Sequence, residues 1–284
     1  MKRTIFLFLA SASAFVIAGS ASAQQAAASD ADLAKQAQNP LASMISVPFQ
    51  NNLNFNMGPH DRNQNVLNIQ PVIPFGFGPV NLITRTIVPV VYKPDLSAET
   101  GGTSGLGDTS STFWLGPSAP ATVTWGVGPV VYFPTATDEA LGSGKWSAGP
   151  SVVALTMPGK WVVGILASNV WSFAGDDDTA DVNSFLFQPI INYNLPNHWY
   201  LVSVSVITAN WNAEDGNKWT VPVGGGFGKI FHIGSQAVNG QFQAFYNVKH
   251  PEFSIEPPVG GLPIEAVTDA VWTLRLQLQL LFPR

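Results

Sequence analysis

The sequence predicts an all-β protein: an antiparallel transmembrane β-barrel of about twelve strands, preceded by a short helix. Three observations carry that expectation. Apolar and polar residues alternate with a period of two over most of the chain, as strands require when one face meets an apolar phase and the other does not. Charged residues make up only 11% of the sequence, against ~25% in ordinary soluble domains. The acidic residues that are present crowd the connections at one end of the strands and avoid the strands themselves.

Residues 1–23 read as a signal peptide. Lys2 and Arg3 form a charged start, Ile5 to Ile17 an apolar run, and Ala21-Ser22-Ala23 a cleavage motif before Gln24. Residues 24–43 form an Ala- and Gln-rich lead-in with a short helix over Asp30–Gln38, capped by Ser29 or Asp30 and ended by Pro40. A periplasmic lead-in and a plug entering the barrel are equally open readings. Residues 44–284 are the barrel. Its first strand sets Ile45, Val47, Phe49, Leu53, Phe55 and Met57 against Ser46, Gln50, Asn52, Asn54 and Asn56. The second sets Leu67, Ile69, Ile73 and Phe75 against Asn68 and Gln70. Further segments follow near 81–92, 108–115, 121–133, 145–156, 160–173, 182–193, 199–210, 219–231 and 239–249. The last, Trp272 to Phe282, alternates most cleanly: Leu274, Leu276, Leu278 and Leu280 against Arg275, Gln277 and Gln279.

The connections separate a membrane barrel from a soluble sandwich. Odd gaps (58–64, 93–107, 134–144, 174–181, 211–218 and 250–268) are long and polar, and the gaps between them are tight. Long loops at one end and short turns at the other are the outer-membrane pattern. Asp61, Asp95, Glu99, Asp108, Asp138, Glu139, Glu214, Asp215, Glu252, Glu256, Glu265 and Asp269 all fall in or beside the long gaps. A sandwich would place charges at both ends and on its outer faces. Trp114, Trp125, Trp146, Trp161, Trp171, Trp199, Trp211, Trp219 and Trp272 fall near strand ends, where an interfacial girdle of aromatic residues belongs. Pro71, Pro89, Pro129, Pro150, Pro189 and Pro222 lie inside proposed strands and mark bulges or bends.

The composition excludes several chemistries. The absence of cysteine removes disulfides, thiolate metal sites and a cysteine nucleophile. A pI near 5.2 provides no basic footprint for nucleic acid. His60, His198, His232 and His250 have no metal-ligand spacing, so no catalytic residue, metal site or cofactor is assigned. Asp176, Asp177, Asp178 and Asp181 form the one acidic cluster that could hold a divalent ion weakly, since hard cations take carboxylate oxygens. Gly224-Gly225-Gly226-Phe227-Gly228 lacks the Lys and following helix of a phosphate loop; glycines in a strand favour a bend or close packing. If the polar parity faces inward, Asn52, Asn54, Asn56, Asn68, Gln70, Arg85, Gln188, Asn192, Gln241, Gln243, Asn247, Arg275, Gln277 and Gln279 line the lumen. That lining of amides with two arginines suits neutral or mildly anionic solutes better than cations.

Four runs carry a family resemblance: Leu41 to Asn54 (LASMISVPFQNNLN), Gly105 to Gly116 (GLGDTSSTFWLG), Trp125 to Gly149 (WGVGPVVYFPTATDEALGSGKWSAG) and Leu280 to Pro283. Together they resemble the outer-membrane barrel family named for the meta-cleavage pathway of phenol degradation, often labelled transporter. PTATDEALGSGKW is the most specific part. The resemblance implies a barrel and uptake of small organic molecules, aromatic or hydrophobic ones among them, and it brings no catalytic residues. The sequence therefore reads as a monomeric bacterial outer-membrane channel or transporter. Its expected partners are membrane lipid, lipopolysaccharide, the barrel-assembly machinery and a small solute. The alternatives are a sealed structural or adhesion barrel and a lipid-modifying enzyme using His198 or His232.

Overall fold

The computed structural model describes residues 30–119, 121–251 and 270–283. The expected signal peptide, the helix cap at Ser29 and the acids Glu252, Glu256, Glu265 and Asp269 lie outside the described residues. Helix α1 (Asp30–Ala37) leads into twelve strands. These are β1 (Ile45–Met57), β2 (Arg62–Ile69 and Val72–Phe77), β3 (Val80–Pro94), β4 (Gly102–Leu106 and Thr109–Pro117), β5 (Val123–Phe133) and β6 (Lys145–Thr156). They continue as β7 (Trp161–Gly175), β8 (Asn183–Asn194), β9 (Trp199–Ser203 and Ile207–Asn210), β10 (Trp219–Ile233), β11 (Gln236–Lys249) and β12 (Trp272–Phe282). β2, β4 and β9 are each one strand in two pieces, so the ladder segments resolve into the expected number. Every strand pairs antiparallel with its neighbour, and β12 returns to β1 from Ile45 opposite Phe282 to Phe55 opposite Trp272. The sheet is closed and has no free edge.

The breaks fall where backbone donors are missing. Pro71 separates the two pieces of β2, and Pro222 sits at the register shift in β10. Pro129 and Pro150 lie opposite each other, so two absent N–H groups share a single rung. Gly234 takes a left-handed φ of 61° in the two-residue turn between β10 and β11, a conformation open to glycine at no steric cost.

Two expected boundaries move. The gap over 58–64 is not a long loop: Arg62 to Gln64 belong to β2, and the reversal takes only Gly58 to Asp61. Left-handed φ angles at Asn56, Gly58 and Asp61 allow so tight a return. The same bulge turns Asn56 outward, exposed, and sends Met57 inside. Asn56 is therefore not a lumenal residue, and the alternation reverses there. The loop over 93–107 contributes Gly102–Leu106 to the wall, paired with the end of β3. At the loop end, the Ser97 hydroxyl and N–H, with Arg62 nearby, hold the Asp95 carboxyl below the usual carboxylate range.

The outer surface is apolar over the middle of the strands. Leu115, Val127, Ile165, Leu201, Val223 and Leu276 are each between 44% and 56% exposed. No soluble domain leaves so continuous a hydrophobic band in water, whereas hydrocarbon accepts it. Trp125, Trp146, Trp161, Trp171, Trp199, Trp211 and Trp272 are exposed towards strand ends, with Trp219 packed edge-on against Trp211. Trp114 departs from this pattern: it is fully buried on the inner face. Among the described residues no helix is long and apolar enough to cross a membrane.

The depth of this band is testable. Leu276→Arg, near the middle of β12, is expected to cost about 2–4 kcal/mol in denaturant titrations of protein refolded into liposomes, and Val248→Arg, near the loop end of β11, at most about 1 kcal/mol. Equal penalties at both positions would contradict a membrane-centred band.

Candidate functional site

The interior of the barrel is built in three levels. At the turn end, α1 closes the opening. Leu33 and Ala34 pack on Ile230, Ala237 and Leu281 of the wall and on Met44. The helix is amphipathic enough to present this face because Leu33, Ala34 and Ala37 recur at helical spacing. Gln38 then donates from Nε2 to Asn194 Oδ1 at 2.9 Å. The Asn39 side chain accepts from the Leu41 N–H at 2.8 Å, turning the chain inward. Leu41 enters the barrel and packs among Ile83, Trp114, Val153, Leu166 and Leu186. Within the described residues, Leu33 to Leu41 of the lead-in thus pack against the inside of the wall.

At the loop end, residues 134–144 fold inward. Asp138 caps a single 3-10 turn, Glu139–Leu141, by accepting from the Ala140 N–H at 2.9 Å. Leu141 docks on Val66 and Val91. The buried Asp108 carboxylate holds the loop's return, accepting from the N–H and the hydroxyl of Ser143 at 2.7 and 2.8 Å. The segment singled out above as most family-specific is thus an inward-folded loop.

Between these levels lies a cavity of about 140 Å³. It is bounded by the inserted segment at Gln36 to Met44 and by inner-face residues of β1, β2, β3, β7, β8, β9, β11 and β12. Gln70, Arg85, Gln188, Asn192, Gln241, Gln243, Arg275, Gln277 and Gln279 line it. Asn52, Asn54, Asn68 and Asn247 are buried on the same inner face beyond it. Much of this amide wall is bonded to itself. Asn54 donates to Gln64 at 2.8 Å, Asn239 to Gln279 at 3.0 Å, and Asn247 to the Ala270 carbonyl at 2.6 Å. Arg275 donates from Nε to Asn52 Oδ1 and from Nη1 to the Val204 carbonyl, both at 2.8 Å. Three side chains on β2 and β3 keep buried polar atoms without partners: both amide atoms of Asn68, Nε2 of Gln70 and Nε of Arg85.

Several interior residues escape a reading by polarity. Tyr200 is fully buried, and its hydroxyl donates to Asn239 Oδ1 at 2.5 Å. Its ring lies against Gly228, where a Cβ would stand 2.2 Å from the ring carbon. That is the close packing expected of the glycine run in β10. Trp114 donates from Nε1 to Ser151 at 3.0 Å, so its polar handle is satisfied inside. The available signal was parity: Trp114 shares its face with Ser110 and Thr112 on β4.

The acidic cluster does not form an ion site. Asp176 accepts from the Asp178 N–H, while Asp181 turns away to accept from Ser172 and to meet Lys145 at 3.6 Å. Among the described residues no three of His, Asp and Glu converge as metal ligands, which corrects the reading of Asp176, Asp177, Asp178 and Asp181. His198 lies in the turn before β9 and His232 near the turn-end limit of β10.

No family model matches this chain, and no curated protein matches it in sequence. Among solved structures, an outer membrane channel from Pseudomonas putida F1 has a TM-score of 0.61 at 16% identity, over 84% of this chain and 94% of that one. The outer membrane phospholipase A of Escherichia coli is a fainter likeness, with a TM-score of 0.43 at 11% identity over 84% of this chain and 92% of that one. The first likeness concerns the fold, which is that of bacterial outer-membrane barrels. With the apolar band and aromatic girdle, it places this chain in the bacterial outer membrane.

The Tyr200 contact should support the inner wall measurably. Tyr200→Phe leaves the Asn239 carbonyl short of a donor and is expected to lower stability by about 1–3 kcal/mol in urea titrations. Gly228→Ala should destabilise as well, because the Tyr200 ring must leave its seat. Wild-type stability in both variants would show that this contact is incidental.

Proposed function

We propose that the protein is a narrow passive channel for small organic solutes across the outer membrane. The single observation that carries this reading is the polar cavity held inside a closed barrel. An inner wall built only for structure would be expected to satisfy all its buried polar groups. Here Gln70 and Arg85 line the cavity, and each keeps a buried donor that no protein group accepts. The resemblance noted in the sequence supports organic, hydrophobic or aromatic solutes as the class carried. In this reading the protein works as a monomer. Lipid and lipopolysaccharide surround its apolar band, and the assembly machinery handles its insertion.

A sealed structural barrel is the second reading, and a specific observation favours it. Leu41 with its five packed neighbours and the inward loop 134–144 both fill cross-section that a channel would leave open. A lipid-modifying activity is the third, and it would require His198 or His232 to act on lipid.

Solute swelling of liposomes separates these readings. The channel reading expects measurable entry of small organic solutes, faster after deletion of residues 24–43 and slower in Gln277→Trp, which fills the cavity wall. A sealed barrel shows no entry above protein-free liposomes and no response to Gln277→Trp. Loss of a lipid-directed activity on His198→Ala or His232→Ala would support the third reading.

A further inference from the structure

We propose that the interruption in β9 is a side portal, at which β9 and β10 part to let a small apolar solute pass between the central cavity and the hydrocarbon of the bilayer. The proposal deepens the channel reading and rests on it for a cavity that admits solute.

The breaks in β2 and β4 are bridged by backbone bonds. In β2 the Gln70 N–H donates to the Pro48 carbonyl at 2.9 Å, and the Pro71 carbonyl accepts from the Thr86 N–H at 3.1 Å. In β4 the Gly107 N–H donates to the Pro89 carbonyl at 3.0 Å. The break in β9 differs. Among the described residues no backbone hydrogen bond ties Val204, Ser205 or Val206 to β8 or β10. Pairing with β8 resumes in the same register, from Ser203 opposite Ile191 to Ile207 opposite Phe187, so no residue is inserted and the strand has simply left the sheet. Towards β10 the unpaired stretch runs from Val221 to Gly225. Lumenal side chains of β11 and β12 hold the segment instead: Gln243 accepts from the Val204 N–H at 3.2 Å, and Arg275 donates to the Val204 carbonyl at 2.8 Å. β9 is thus drawn inward here, away from its neighbours.

A wall in hydrocarbon stays shut because opening it would strip paired backbone groups of their partners. Along residues 204–206 no such bond stands in the way. Gly224, Gly225 and Gly226 extend no side chain over the gap, and at its edge the Ser203 hydroxyl donates to the Gly224 carbonyl at 2.7 Å. On the other side, the register would set Pro189 opposite Ser205, and proline has no N–H to offer. The gap also lies between the two phases a portal must join. Inside, Ile190, Val202, Val204 and Val206 line the cavity. Outside, Leu201 and Val223 are exposed in the apolar band, and Ser205 is midway along the chain between the girdle residues Trp199 and Trp211. A solute using this route must dissolve in hydrocarbon, and about 140 Å³ holds a single aromatic ring or a short chain. At the turn end Leu33 and Ala34 of α1 pack on the wall, whereas sideways exit at residues 204–206 breaks no backbone bond.

Photolabelling from within the membrane tests the portal. Trifluoromethyl phenyl diazirine is a single apolar ring that concentrates in bilayers and, on irradiation, inserts into the residues it touches. In protein refolded into liposomes it is expected to label Leu201 and Val223 on the lipid face and also Leu166, Ile190 and Val202 inside. The inner labelling should persist when glutathione in the water scavenges reagent arriving from that side. A Cβ at Gly225 would stand 3.4 Å from the Ser203 Cβ, near disulfide spacing, and the chain has no cysteine of its own. The Val202 carbonyl oxygen, 2.7 Å from the same point, must give way slightly. Ser203→Cys with Gly225→Cys, oxidised, should therefore tie β9 to β10 and abolish the inner labelling while Leu201 stays labelled; reduction should restore it. Heat-resistant mobility checks folding of this variant, and if it fails to fold the glutathione comparison on the unaltered protein decides alone. Inner labelling that glutathione removes would show entry from the water: the portal falls and the channel stands. Absent inner labelling, or inner labelling that survives the disulfide, would likewise overturn the portal, and the channel reading falls with it only if swelling is absent too.

Discussion

In hydrocarbon, an unpaired backbone N–H or C=O costs several kcal/mol, and no water is at hand to relieve it. A sheet can lie in such a medium only if its last strand finds its first. Everything else in this structure depends on that closure between β12 and β1, which runs without a register shift from Ile45–Phe282 to Phe55–Trp272. β12 is also the strand whose alternation is cleanest. A one-residue slip would carry Arg275, Gln277 and Gln279 into lipid and the leucines into the lumen, so the chemistry of the two faces enforces the seam. The interruptions are placed elsewhere. Pro71 breaks β2, residues 204–206 interrupt β9, and Gly107 with Asp108 interrupt β4, each inside a ladder that both neighbours continue.

The inner face solves a different problem. A wall of this circumference encloses more space than a filled small barrel and less than an open porin. The protein fills part of it with its own chain, from both ends. The turn end receives an amphipathic helix, and the loop end receives a loop held by one buried carboxylate. Between them the wall bonds largely to itself, as in the run from Tyr200 through Asn239 to Gln279. Most of the exceptions, on Asn68, Gln70 and Arg85, fall on β2 and β3, and one, the Ser147 hydroxyl, on β6.

The barrel was legible in the sequence because two solvents impose opposite demands on alternate residues, and neither tertiary packing nor propensity overrides that pattern. The one-ended distribution of carboxylates was legible for the same reason: the cost of burying charge keeps them out of the spanning segments. What the sequence hid lies where apolar residues serve the inside. Val66, Ile83, Leu166 and Phe245 face inward, and nothing in their chemistry separates them from the lipid-facing valines and leucines. Trp114 was misplaced because tryptophan near a strand end usually marks an interface. Its true role depends on Ser151 and Leu41, which are remote in sequence. Asn56 was misplaced by one left-handed residue, since a single bulge reverses the parity of all that follows in its strand.

Trp114 is where the inserted segment and the charged wall come together. Leu41 packs on it, Arg85 lies over its ring at 5.5 Å, and its Nε1 is tied to Ser151. That tie decides what withdrawal of Leu41 would do. A tryptophan held only by packing would swing into the space vacated and refill it. One anchored through its ring nitrogen must break the Ser151 bond to make that swing. The inserted segment meets the wall through an amide pair at Gln38 and Asn194 and through apolar contacts.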